Sequence, residues 1–142
     1  MTSLSRFLRP LILLASAAAL ASCGGLESLL NGTTGFQGTW SGSATANGTT
    51  GSMSLAIDVN GNVTGTDSIS KPGFTATDTG TISTSGSLSL TTQYLGATVS
   101  TISVTVVAVS GTMSGSGTML INGVGSTIQL QLTQNSTALR VK

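Results

Sequence analysis

The feature that most restricts the fold of this 142-residue chain is a period-two alternation of apolar and small polar residues, cut at short intervals by Gly, Asn and Ser. Met53, Leu55, Ile57 and Val59 alternate with Ser54, Ala56 and Asp58. Leu88 and Leu90 alternate with Ser87, Ser89 and Thr91, and Ile128, Leu130 and Leu132 with Thr127, Gln129, Gln131 and Thr133. Successive side chains on a strand point to opposite faces, so each stretch is a strand with one buried face and one wet face. A helix would repeat its apolar positions about every three or four residues instead.

The remaining segments extend the pattern. Phe36, Gly38 and Trp40 share a face of the first strand, and Val63–Ser70 and Phe74–Ser83 read as two more. Val99–Val109 is the most apolar, with Ile102, Val104 and Val106 on one face. Met113, Met119 and Ile121 share a face of the next, which carries Gly115 and Gly117 in its middle, and Ala138–Lys142 reads as a short last strand. Asn60-Gly61 and Asn122-Gly123 are signals for type I′ hairpin turns, whose two central residues both need positive φ. Lys71-Pro72-Gly73 and Thr84-Ser85-Gly86 read as turns, Leu95–Ala97 as a loop, and Gly111 lies at a further turn. The expectation is an all-β domain, an antiparallel up-and-down meander of about eight or nine strands. Every connection is short enough for a hairpin, whereas a Greek key needs a long crossing. A meander of this size removes its exposed edges by closing, which makes a small barrel the expected architecture.

Composition agrees. Charged residues are only 6% of the chain and apolar ones 39%, the opposite of the high-charge, low-hydrophobicity balance of disordered segments. Downstream of Cys23 the charges are Lys71, Arg140 and Lys142 against Glu27, Asp58, Asp67 and Asp78, a net charge of −1. That excludes the basic face that nucleic acid requires and the polybasic patch that binds acidic lipid.

The first residues follow a different logic. Arg6 and Arg9 precede an apolar run, Leu11–Leu20, and small residues Ala21 and Ser22 precede Cys23, the single cysteine. This is the three-part layout of a helical secretory signal. Its apolar run is about half the length that crosses a bilayer. Leu20-Ala21-Ser22-Cys23 resembles the lipobox of bacterial lipoproteins. The resemblance implies a diacylglycerol on the Cys23 thiol, cleavage before it, and anchoring to a membrane by two or three acyl chains. Gly24 rather than Asp follows, which resembles the sorting pattern of outer-membrane lipoproteins in Gram-negative bacteria. The expected organisation is a signal peptide over 1–22, a lipidated cysteine and tether over 23–35, and a barrel over 36–142.

Gly38-Thr39-Trp40 resembles the Gly-x-Trp opening shared by lipocalins and avidins, the calycin barrels, and Gly38-Thr39-Trp40 followed by Gly61–Thr66 is similar to the first hairpin of avidins. The resemblance implies that Trp40 is structural, packed at a closed barrel end beside an arginine of the last strand, here Arg140, with Gly38 leaving room on the same face. Biotin binding is not implied, because avidins hold it with several tryptophans and Trp40 stands alone. The helix and disulfide usual in lipocalins have no clear counterpart.

Chemistry is sparse. There is no histidine, which removes Ser-His-Asp and Cys-His catalysis and His-based metal sites. Glu27 falls in the tether, and Asp58, Asp67 and Asp78 are expected at solvated strand or turn positions. Asp58–Asn62 resembles the start of a calcium loop. However, Val63 and Ile69 stand where an EF-hand carries Gly and Glu, and a hairpin explains the same residues. No catalytic residue, metal or cofactor is expected. The lumen is the one candidate site, since eight strands leave room for packed side chains or one small ligand. Its expected inward residues are Trp40, Leu55, Ile57, Phe74, Leu88, Leu90, Val104, Met119, Leu130 and Leu132, all apolar and without a convergent charge. The expected function is that of a non-enzymatic, membrane-anchored envelope lipoprotein. Its barrel holds a small apolar molecule against Leu55, Ile57, Phe74, Leu90, Val104, Met119 and Leu130. The alternative is a filled core in a structural or protein-interaction module.

Overall fold

The structure, a computed structural model, describes residues 35–135. Eight strands, β1 (Gly38–Ala46), β2 (Thr49–Ile57), β3 (Asn62–Asp67), β4 (Ala76–Ile82), β5 (Ser87–Tyr94), β6 (Ala97–Val109), β7 (Thr112–Ile121) and β8 (Val124–Gln134), follow one another in a meander. Each pairs antiparallel with the next, and β8 closes on β1 from Trp40–Gln134 to Ala46–Ile128. The described residues form an all-β closed barrel, as the alternation and the short connections require. The expected last strand at Ala138–Lys142, Arg140, and the whole stretch through Cys23 lie outside the described residues.

Four of the seven connections are two-residue turns with both residues at positive φ: Asn47-Gly48, Leu95-Gly96, Ser110-Gly111 and Asn122-Gly123. This is the type I′ geometry, whose twist matches that of the strands. Asn122-Gly123 was legible as such. Asn60-Gly61 differs from expectation, because only Gly61 has positive φ. The Gly61 amide donates to the Asp58 carbonyl at 3.1 Å and the Asp58 amide to the Asn62 carbonyl at 3.0 Å. The turn therefore spans Val59 and Asn60, with Gly61 as the left-handed bulge residue. Val59 sits in it with 54% of its surface exposed rather than on the inner face of β2. Ser83–Ser87 repeats this construction around Gly86.

An eight-stranded barrel must bend its sheet sharply, and inward glycines allow it. Gly80 faces in between Ala76, Asp78 and Ile82, and a Cβ there would overlap the Ser89 carbonyl oxygen of β5. Gly117 is in the same position against the Ser103 carbonyl of β6. Each lies opposite a large inward side chain, Leu90 for Gly80 and Val104 for Gly117, so the wall folds in where the neighbour fills the lumen.

The β3–β4 connection is the one long link. β3 stops at Asp67 rather than Ser70, and β4 starts at Ala76 rather than Phe74. The intervening chain crosses one end of the barrel. Ile69 and Ser70 are buried, and a Cβ at Gly51 would stand 2.8 Å from the Ile69 amide nitrogen. Lys71-Pro72-Gly73 turns as expected, with Gly73 at φ +84 and the Phe74 amide donating to the Lys71 carbonyl at 3.0 Å.

Candidate functional site

The lumen is filled. Leu55, Ile57, Leu88, Leu90, Val104, Met119, Leu130 and Leu132 all point inward and are buried, as the alternation predicts. Met53, Val63, Ile102, Val106, Met113 and Ile128 pack among them in one continuous core. Phe74 is the exception. It lies in the connection ahead of β4, with 51% of its surface exposed, and does not line the lumen. Its ring tilts against Tyr94 at a centroid distance of 5.2 Å, and the Lys71 ammonium sits 5.0 Å from the Tyr94 ring. Pro72-Gly73 turns the chain outward before the strand begins, so the strand's parity does not extend to Phe74.

Trp40 is 1% exposed and anchors one end of the core. Its indole N–H donates to the Phe36 carbonyl at 2.6 Å, so the chain entering β1 folds under the ring and closes that end. Gly38, on the same face, has φ +126, and a Cβ there would stand 2.7 Å from the Gln134 side-chain nitrogen. That nitrogen donates to the Gln37 carbonyl at 2.9 Å, fastening the end of β8 to the chain entering β1.

The opposite end is built from polar groups that the sequence reading placed in water. Asp67 and Asp78 are each 1% exposed. They correct the expectation of solvated positions and of a lumen without convergent charge. Asp78 follows the inward parity of Ala76 and Ile82, and Asp67 that of Val63. The Thr92 hydroxyl donates to Asp78 Oδ1 at 2.6 Å and lies 3.3 Å from Asp67 Oδ2. Ser70, in the crossing connection, gives Asp67 two bonds, its amide to Oδ1 at 2.7 Å and its hydroxyl to Oδ2 at 2.8 Å. The Ser100 hydroxyl lies 2.8 Å from that of Ser70. Thr92 and Ser100 lie opposite each other in the regular β5–β6 register, which shifts only beyond them, between Thr92 and Gln93. Asp78 Oδ2 is buried without a partner. Burial pushes the Asp78 carboxyl up to about 7, against the Thr92 hydrogen bond, and the charge and hydrogen bond of Asp67 push it the same way as burial. The two carboxyl groups thus share the Thr92 hydroxyl and are sealed under the connection. Asp58, by contrast, caps its turn from outside. Its carboxylate accepts the amides of Asn60 and Asn62 and the Asn62 side chain at 2.7–2.9 Å, and the Asn62 bonds hold its pKa below the ordinary value.

Outside, the wall is hydroxyl-rich and in register. Thr64, Thr79, Thr91 and Thr101 lie side by side across β3 to β6. A groove of about 270 Å³ crosses β1, β8 and β7, lined by Ser43, Thr45, Ser114, Ser116, Gln129 and Gln131. No protein-family model matches the chain, and neither does the sequence of any curated protein.

Proposed function

We propose that this protein is a non-enzymatic lipoprotein of the bacterial envelope, anchored through lipid on Cys23, whose solid barrel presents its outer wall to an envelope partner. The packed lumen is the observation that carries this reading. Leu55, Ile57, Leu90, Val104, Met119 and Leu130, the side chains that would hold an apolar ligand, are themselves the core. A ligand would have to displace them at a cost of about 1–3 kcal/mol per strained position. The barrel is compatible with the calycin resemblance at Gly38-Thr39-Trp40, and the burial of Trp40 at one barrel end supports that reading.

The outer groove over β1, β8 and β7 supports the partner reading, since its three serines, Thr45 and two glutamines offer donors and acceptors without charge. The test is purification of the full chain from its own membranes, with native mass spectrometry and cross-linking. The expected result is a barrel free of small molecules and one cross-linked envelope protein, lost when Ser116 and Gln129 are both replaced by Arg. A stoichiometric apolar molecule retained by the barrel would replace this reading with ligand carriage.

A further inference from the structure

We propose that Asp67 and Asp78 form a proton-operated latch that fastens the β3–β4 connection across one end of the barrel. A single proton completes the network. Ser70 gives its amide and hydroxyl to Asp67, Ser100 can donate to Ser70, and Thr92 donates to Asp78 Oδ1. Only Asp78 Oδ2 is left over. A proton on that oxygen makes it a donor toward the Asp67 carboxylate, and every buried polar atom in the cluster then has a partner. Without the proton, two carboxylates face each other in a dry site, which costs far more than an ordinary lost hydrogen bond.

The latch holds a specific piece of chain. Asp67 is the last residue of β3, and its two bonds to Ser70 fold the connection back over the lumen. Ile69, between them, is 3% exposed and packs into the core. The Ser68 amide donates to the Ser52 carbonyl at 3.0 Å and the Ser68 hydroxyl accepts the Ser52 amide at 2.9 Å, tying the connection to β2. Asp67 is the charged group that faces Asp78. β5 presents Thr92, β6 Ser100 and the connection Ser70, all neutral, and β2 sets Met53 opposite Asp67. Lys71 turns outward to the rings of Phe74 and Tyr94.

The sign follows from the raised value for Asp78, about 7 when the connection is closed and near 4 once it is open and hydrated. The closed form therefore binds the proton more tightly. Its advantage is complete below about pH 4, falls as pH rises, and is gone above about 7. Opening of the connection should increase about tenfold per pH unit across that window and then level off.

Amide hydrogen exchange of the ¹⁵N-labelled full chain, corrected for intrinsic rates between pH 4.5 and 8, reads this directly. The Ser68 and Ser70 amides should lose protection about tenfold per unit up to about pH 7. The Val106 amide, bonded to the Gly86 carbonyl at the Trp40 end, should not follow. In Asp78→Asn, whose amide nitrogen can donate to Asp67 at every pH, the slope should vanish. Should that variant not fold, Asp67→Asn removes the facing charge, and the plateau should begin at lower pH. Protection of Ser70 that is flat in the wild type, or equally sloped in the variants, overturns the latch. Restoration of Ser70 protection at pH 8 by millimolar calcium chloride overturns it too, by making the pair a cation site.

Discussion

Adding one methyl group at Gly80 should unfold the barrel more easily, and adding the same group at Gly125 should do the reverse. Gly80 has ordinary negative φ and so loses nothing by gaining a side chain. Gly→Ala at such a position normally stabilises by about 0.4–1 kcal/mol, because the unfolded chain has fewer states to lose. At Gly80, however, the new Cβ would overlap the Ser89 carbonyl oxygen, with the Leu90 Cα 2.9 Å away. Both are backbone of a strand paired in register from Thr77–Gln93 to Ile82–Leu88. β4 can relieve the overlap only by pulling away from β5. Overpacking of this kind costs about 1–3 kcal/mol or somewhat more. Taking the upper part of that range against the entropic gain leaves a net loss of about 2 kcal/mol, or about 10 °C in Tm for a domain of this size. At Gly125 the Cβ would meet Leu120 Cδ2 at 3.4 Å, an ordinary contact with a side-chain end. Gly125→Ala should therefore raise Tm by about 2–4 °C. Thermal melting followed by circular dichroism measures both. Shifts of the same sign in the two variants would refute the argument that inward glycines allow the wall to bend.

Trp40→Ala should cost about 3–5 kcal/mol. Trp40→Phe, which keeps an aromatic ring but leaves the Phe36 carbonyl without its indole donor, should cost about 1–3 kcal/mol, measured by urea unfolding. Asp58→Ala should speed exchange of the Asn60 and Asn62 amides. The share of stability that Asp58 contributes is present above the ordinary carboxylate range and lost as pH falls through its lowered value, so the wild-type and variant urea curves should converge in acid. Cys23→Ser should abolish processing and release the protein from the membrane fraction. An unchanged distribution in cell fractionation would end the lipoprotein reading.

The barrel was legible because two signals agree along the whole chain. Alternation assigns a face to every residue of a strand, and turn residues mark where the chain reverses. Parity alone assigns Leu55, Leu90, Met119 and Leu130 to the inner wall, where they are buried. The shortfalls are local and share a cause. Where the chain leaves the strand, parity stops carrying information. Val59 belongs to a turn that begins at Asp58, and Phe74 follows a Pro72-Gly73 turn that aims it outward. The sequence shows Asn60-Gly61 but not which of two turn types it makes. The choice rests on Asp58, whose carboxylate takes the Asn60 and Asn62 amides and so favours the longer turn.

The acid pair shows a different conflict. In the structure Asp78 lies on the face of Ala76 and Ile82, and Asp67 on that of Val63, so the strand parity that builds the core also carries both carboxyl groups inward. The rule that charge seeks water spoke against it, and on cost that rule is sound, since an unpaired buried carboxylate is prohibitive. What resolves the conflict is a second-order feature that a linear reading does not weigh. Asp67, Asp78, Thr92, Ser70 and Ser100 come from β3, β4, β5, the connection and β6, and only the register of the closed barrel brings them to one height. Two carboxylates can share one proton, and three hydroxyls can turn to suit either of them. Together they make a buried site that tolerates acid but not two full charges, at the end of the barrel away from Trp40. A chain with so few charged residues keeps two of them in its interior, where a surface role cannot account for them. Under the proposed latch, the polar end of this barrel is where pH acts on the fold through its interior, whereas Asp58 acts from a surface turn.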